Sequence, residues 1–150
     1  MPVPTADRAR PTRDLDETLE RFDQFSLALI RLEPFPLDEV RRSVERFRRA
    51  VNHHLLAARS AARDRPATPA RPEGGRLERE HERFRASVDE LGQLLSVVEH
   101  DDHGGHRQAL GQYGRIFTEA LRVHRRDELE EERRSPRKRG PARPGCPGQP

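Results

Sequence analysis

The chain has 150 residues, a formal net charge of +3 and a sequence pI of about 9.9. That length suits one domain with tails rather than two domains. With 32% hydrophobic and 37% charged residues, a large core is excluded, and what apolar content exists lies mostly in periodic stretches between residues 14 and 130.

Residues 1–13 are rich in Pro and Arg and are expected to be disordered. A first helix is expected over 14–32, because Leu15, Leu19, Phe22, Phe25, Leu29 and Leu32 recur at spacings of three and four. Thr12 or Asp14 is placed to cap it, and Pro34 and Pro36 end it. A second helix is expected over 37–64 on the stripe Val40, Val44, Phe47, Val51, then His54 or Leu55, then Ala58 and Ala62. Residues 65–75, with three prolines and two glycines, read as a loop. A third helix over 76–100 carries Leu77, His81, Phe84, Val88, Leu91, Leu95 and Val98 on one face. After Asp101-Asp102-His103-Gly104-Gly105, a fourth helix over 106–134 carries Leu110, Tyr113, Phe117, Leu121, His124 and Glu128. No alternating strand pattern competes. The fold class is therefore all-α: an antiparallel up-down four-helix bundle over 14–132, followed by a disordered Arg/Pro/Gly tail over 133–150.

Function classes narrow by exclusion. No phosphate-binding Gly loop, nucleophile set or CxxC pair is present, and nothing specifies a reaction. Aromatics are too few to suggest base stacking, so a nucleic-acid partner is not expected. The one cysteine, Cys146, permits no internal disulfide, and no apolar run approaches a membrane span or a secretory signal. A cytoplasmic location without membrane partners is the expectation.

Three histidines occupy positions where the stripes require an apolar residue: His54, His81 and His124, each on a different helix. Antiparallel topology places all three within a few turns of one end of the bundle, with Glu128 one turn after His124. Leu19, Phe22 or Asp23 should reach the same layer from the first helix. A buried imidazole needs a hydrogen bond or a metal. Three imidazoles and a carboxylate suit a first-row ion, Fe or Zn, with affinity that weakens in acid. A helical core histidine satisfied without metal is the competing account. The His100–His106 segment is a second His/Asp cluster, equally explained as a polar helix connection.

At these residues the sequence resembles the hemerythrin-like (HHE cation-binding) family. Leu77-Glu78-Arg79-Glu80-His81 is similar to that family's L-x-x-E-H pattern, and His124-Arg125-Arg126-Asp127-Glu128 to its H-x-x-x-E pattern. Phe47 to His54 is similar to the stretch that supplies another ligand. The resemblance covers residues 14–132 and implies a four-helix bundle around non-haem iron. The chain departs from the pattern in three places. The first helix has no histidine, Ala58 stands where a Glu is expected, and Arg85 stands one turn after His81. The expected site is accordingly a reduced one, mononuclear or vestigial, with His54, His81, His124 and Glu128 as metal ligands. The resemblance implies metal or redox sensing. A metal-free interaction or regulatory bundle is the alternative, and a non-haem iron oxidoreductase is a third reading.

Overall fold

The computed structural model describes residues 10–64 and 72–134, with side chains from 14 and from 75 in the two segments. It contains four helices: α1 (Arg10–Ile30), α2 (Leu37–Arg63), α3 (Pro72–His100) and α4 (Gly104–Arg134). Each helix packs on its neighbours in the ring α1–α2–α3–α4 and closes on the first; among the described residues only side chains, not backbones, meet across the α2–α4 diagonal. This is the antiparallel up-down bundle expected. No helix among the described residues is long and apolar enough to cross a membrane.

Three helix starts differ from the sequence reading, the smallest difference being α4, which begins at Gly104 rather than His106. α1 begins at Arg10, so Thr12 and Asp14 lie inside the helix, and neither caps it. α3 begins at Pro72, inside the stretch read as loop. Proline tolerates the first helical turn, where its missing N–H has no partner to lose, so Pro72 opens the helix rather than preceding it. The expected disorder of residues 1–9 and 135–150 lies outside the described residues.

α1 ends two residues before the expected Leu32. Leu32 itself has φ 58. Its N–H donates to the Leu29 carbonyl, and the Glu33 N–H donates to the Ala28 carbonyl. This paired closure satisfies carbonyls that the helix end would leave open. Leu32 consequently turns outward and is exposed rather than core.

The core follows the apolar stripes. Leu15, Leu19, Phe22 and Leu29 of α1 meet Val40, Val44, Phe47, Val51 and Leu55 of α2, Phe84 to Val98 of α3, and Leu110, Phe117 and Leu121 of α4. Each helix contributes one phenylalanine to a central layer. Phe22 stacks on Phe47 at 4.0 Å. Phe117 meets Phe47 edge-on at 5.3 Å and stacks on Phe84 at 5.9 Å.

The turns at the opposite end are pinned by Arg107. Its guanidinium donates to both carboxylate oxygens of Asp102, at 2.5 and 2.7 Å, and to the Phe35 carbonyl at 2.7 Å. One side chain thus ties the α3–α4 connection to the α1–α2 connection. The hydrogen bond from Arg107 holds the Asp102 carboxyl below its usual range, against the opposing effect of burial.

α1 and α4 approach closely along a seam of small residues. A Cβ added at Gly111 would lie 2.6 Å from the Ser26 carbonyl oxygen, and one at Gly114 would lie 2.4 Å from the Ser26 hydroxyl oxygen. Ser26 is fully buried, and its hydroxyl has no hydrogen-bond partner among the described residues.

Opposite effects follow on the two sides of the seam. Gly111→Ala drives a methyl into backbone that a side-chain rotation cannot move, and should lower stability by about 1–3 kcal/mol. Ser26→Ala removes an unsatisfied buried hydroxyl and should be neutral or stabilising by about 1 kcal/mol. Urea unfolding followed by circular dichroism checks both signs. Asp102, with its lowered pKa, adds stability that is present above the unfolded value of about 3.9 and is lost as pH falls through the folded value. Stability measured below about pH 4 should therefore fall more steeply in the parent than in Asp102→Asn.

Candidate metal centre

The layer next to the four phenylalanines is polar on three helices. His54 lies seven residues after Phe47, His81 three before Phe84, and His124 seven after Phe117. The helical repeat that buries each phenylalanine therefore also turns each imidazole inward. Phe84 lies edge-on to His124 at 5.0 Å and forms the floor of the site.

The three rings converge. The His81 and His124 centroids are 4.7 Å apart, and His54 is 6.2 and 6.3 Å from them. The Nε2 atoms of His81 and His124 are 2.9 Å apart. Glu128 reaches the same point: its Oε1 lies 3.2 Å from His81 Nε2 and 3.0 Å from His124 Nε2, and its Oε2 lies 3.3 Å from His54 Nε2. One donor atom from each of the four residues falls within a sphere where all are within 4.8 Å of one another. The four residues singled out in the sequence thus meet in one place.

The second imidazole nitrogen of His124 settles what its first one offers. His124 Nδ1 lies 2.6 Å from Glu80 Oε2. A carboxylate there holds the Nδ1 proton, so the neutral ring presents an Nε2 lone pair inward. Glu80 is itself held by Arg76 at 3.4 Å, and Arg76 by Asp127 at 2.7 Å. Arg125, almost wholly buried, donates to Glu128 Oε2 at 3.3 Å and reaches Asp16 of α1 at 3.5 Å. Neither Glu80 nor Arg125 was among the expected site residues, although Glu80 is the acid of the L-x-x-E-H segment. Nothing in the sequence marks Arg125.

Electrostatics follow from this crowding. Burial pushes the Glu128 carboxyl up, but the His124, His54 and His81 side chains reverse that and hold it well below the usual carboxylate range. Burial lowers His124, but Glu128 and Glu80 prevail and hold it above the usual imidazole range. Lone pairs of nitrogen and oxygen face one another at about 3 Å, and a cation between them relieves the repulsion. Protons serve in part. His54 Nε2 is buried and has no partner of hydrogen-bond geometry, in spite of its 3.3 Å approach to Glu128.

Donor spacing fits a small ion. Bonds of about 2.0–2.1 Å in tetrahedral array give donor–donor edges of about 3.3 Å. The separations of 2.9, 3.0 and 3.2 Å among His81 Nε2, His124 Nε2 and Glu128 Oε1 lie close to that, and the set including His54 falls within 4.8 Å.

α1 supplies no donor to this layer among the described residues. Leu19 is core, and Phe22 stacks in the phenylalanine layer. Asp23, expected as a third possibility, is taken by α4. It accepts from Arg115 and Thr118 at 3.2 Å and from Arg122 at 3.3 Å. Ala58 is half-buried. Arg85 pairs with Glu82 on its own helix. His53 is exposed.

The second His/Asp cluster, Asp101, His103 and His106, has a local explanation. His103 Nδ1 accepts from the backbone N–H of Gly105 at 3.1 Å and of His106 at 3.4 Å. This is the N-cap arrangement of α4. His106 Nδ1 donates to the Asp101 carbonyl at 2.8 Å. With Nδ1 accepting, the His103 proton sits on Nε2, where a metal would need a lone pair. A solvent-open hollow of about 490 Å³ along α1 and α4, lined by Asp23, Arg115, Ile116, Glu119 and Ala120, includes none of the convergent histidines.

Compared with known proteins, the chain matches no family model, no curated protein and no solved structure. The described residues define a four-helix bundle with a His/Glu cluster that could hold a metal ion.

Substitutions at two residues separate the clusters. Glu80→Gln should leave the fold intact and weaken Zn²⁺ binding about 10- to 100-fold by titration calorimetry, because His124 loses its orienting carboxylate. His103→Ala should cost about 1 kcal/mol in thermal unfolding through loss of the cap, and His103→Asp should recover most of it.

Proposed function

We propose that the chain is a hemerythrin-like metal-binding bundle holding one ion, Fe or Zn, through His54, His81, His124 and Glu128. The observation that carries this reading is His54 Nε2, a buried nitrogen without a hydrogen bond, aimed at the same carboxylate that two other imidazoles already share. A metal-free core would leave that atom desolvated without a well-formed hydrogen bond, at a cost of about 1–3 kcal/mol. An ion bound by all four residues removes the cost and neutralises the crowded lone pairs.

Support also comes from the order of the motifs. The L-x-x-E-H and H-x-x-x-E segments of the hemerythrin-like family correspond to residues 77–81 and 124–128, and Glu80 at the fourth place of the first segment is the residue that orients His124. Three imidazoles and one carboxylate make a closed set for Zn²⁺, and a set with room for further ligands on Fe²⁺. A role in metal or redox sensing follows from the resemblance. The alternative is a metal-free interaction protein in which protons alone hold the cluster. The short contacts among His81, His124 and Glu128 are compatible with it.

Elemental analysis of protein purified anaerobically decides between them. The expected result is close to one equivalent of Fe or Zn. Less than about a tenth of an equivalent, together with no rise in melting temperature on adding Zn²⁺ or Fe²⁺, overturns the metal reading, since an ion at a thousand times its Kd should stabilise the fold by about 4 kcal/mol. His54→Ala should lose the ion while keeping the helical spectrum.

A further inference from the structure

The solvent-facing side of α2 carries a row of basic side chains. Between Arg46 and Arg63 the sequence contains no acidic residue. Arg42, Arg46, Arg49, His53, Arg59 and Arg63 are all exposed. Steps of four and three residues place positions 42, 46, 49, 53, 56, 60 and 63 on one line, with Arg59 beside it. The line is about 31 Å long at 1.5 Å per residue. None of these five arginines forms an ion pair among the described residues, whereas Arg41 and Arg48 of the same helix do. The attraction of a helix C-terminus for cations accounts for Arg63 alone.

From this row we propose that α2 docks on the phosphate backbone of a nucleic-acid duplex, without reading its sequence. Arginine forks match phosphate oxygens in pairs. The row carries one large exposed apolar side chain, Leu56, too little for the apolar centre that a protein interface is built around. A flat anionic bilayer fits less well than a narrow line of phosphates. The neighbouring helices carry exposed acids, Glu17 on α1 and Glu78, Glu82 and Asp89 on α3, and a plane would meet them. The absence of exposed aromatics along the row fits backbone contact rather than stacking on single strands. This departs from the expectation drawn from composition. Along the sequence, acids and bases alternate across the helices, but folding lines up five unpaired arginines of α2 on one side of that helix. The proposal does not depend on the metal centre.

The test uses the full chain and a fluorescein-labelled duplex of about 20 base pairs, followed by anisotropy between 50 and 200 mM NaCl. Three neutralised contacts should make the slope of log K against log salt shallower by about 2.7 in Arg46→Gln/Arg49→Gln/Arg59→Gln, with affinity at 50 mM falling at least about tenfold. A second variant, Arg137→Gln/Arg139→Gln/Arg143→Gln, checks the basic end of the chain and should keep most of the binding. Three results overturn the proposal: no binding at 50 mM, loss of binding only in the second variant, or binding to phosphatidylserine vesicles in place of the duplex. The exposed substitutions are expected to leave the helical spectrum unchanged. If the triple variant fails to fold, Arg49→Glu alone should still weaken duplex binding.

Discussion

The Glu128 carboxylate is the point on which one end of this bundle depends. It is the one anion placed to serve three inward imidazoles, and its two oxygens divide the work. Oε1 faces His81 and His124, while Oε2 faces His54 and Arg125. Three helices are therefore joined through one side chain. Arg125, by reaching Asp16, draws in the fourth. Such a cluster is unstable as a set of bare lone pairs. It needs positive charge in its middle, and the depressed Glu128 and the raised His124 show the same demand from the two sides of the proton equilibrium.

The rest of the fold supports that arrangement. The phenylalanine layer shields the cluster on one side, which keeps the local dielectric low and the charge interactions strong. His124 is the most deeply buried member, with its side chain only 1% exposed. It is also the one held at both ring nitrogens. α1 plays a different part from the other helices. It closes on α4 through the Ser26–Gly111–Gly114 seam and through the Asp23 clasp with Arg115, Thr118 and Arg122, and it gives the cluster a wall rather than a donor.

Much of this was legible from spacing alone. Apolar residues at steps of three and four fixed the four helices and the inward faces, and histidines interrupting those faces marked the layer. At the second helix the choice between His54 and Leu55 proved false: Leu55 is fully core, and His54 beside it reaches the cluster. Other features had no periodic signature. The start of α3 at Pro72 was hidden because proline and glycine read as loop wherever they cluster. Glu80 and Arg125 sit among alternating acids and bases, and only the packing of α3 on α4 tells a second-layer partner from a solvated pair. The His100–His106 cluster, which the sequence left open between a metal site and a polar connection, has a local role. Residue types suited to metal binding were serving as a helix cap and a turn contact.

The number of ions follows from where donors are missing. A pair of ions needs a second group of ligands beside the first, and the proposed resemblance would draw them from α1, from one turn along α2 and from one turn along α3. At those places stand a first helix without histidine, Ala58 and Arg85. Ala58 offers no donor atom. Arg85 offers only N–H groups and a fixed positive charge, which opposes a second cation. Asp23, the nearest acid that α1 was expected to provide, is already neutralised by Arg115 and Arg122. The donors that remain among the described residues gather around a single centre, and the proposed single ion follows from that convergence.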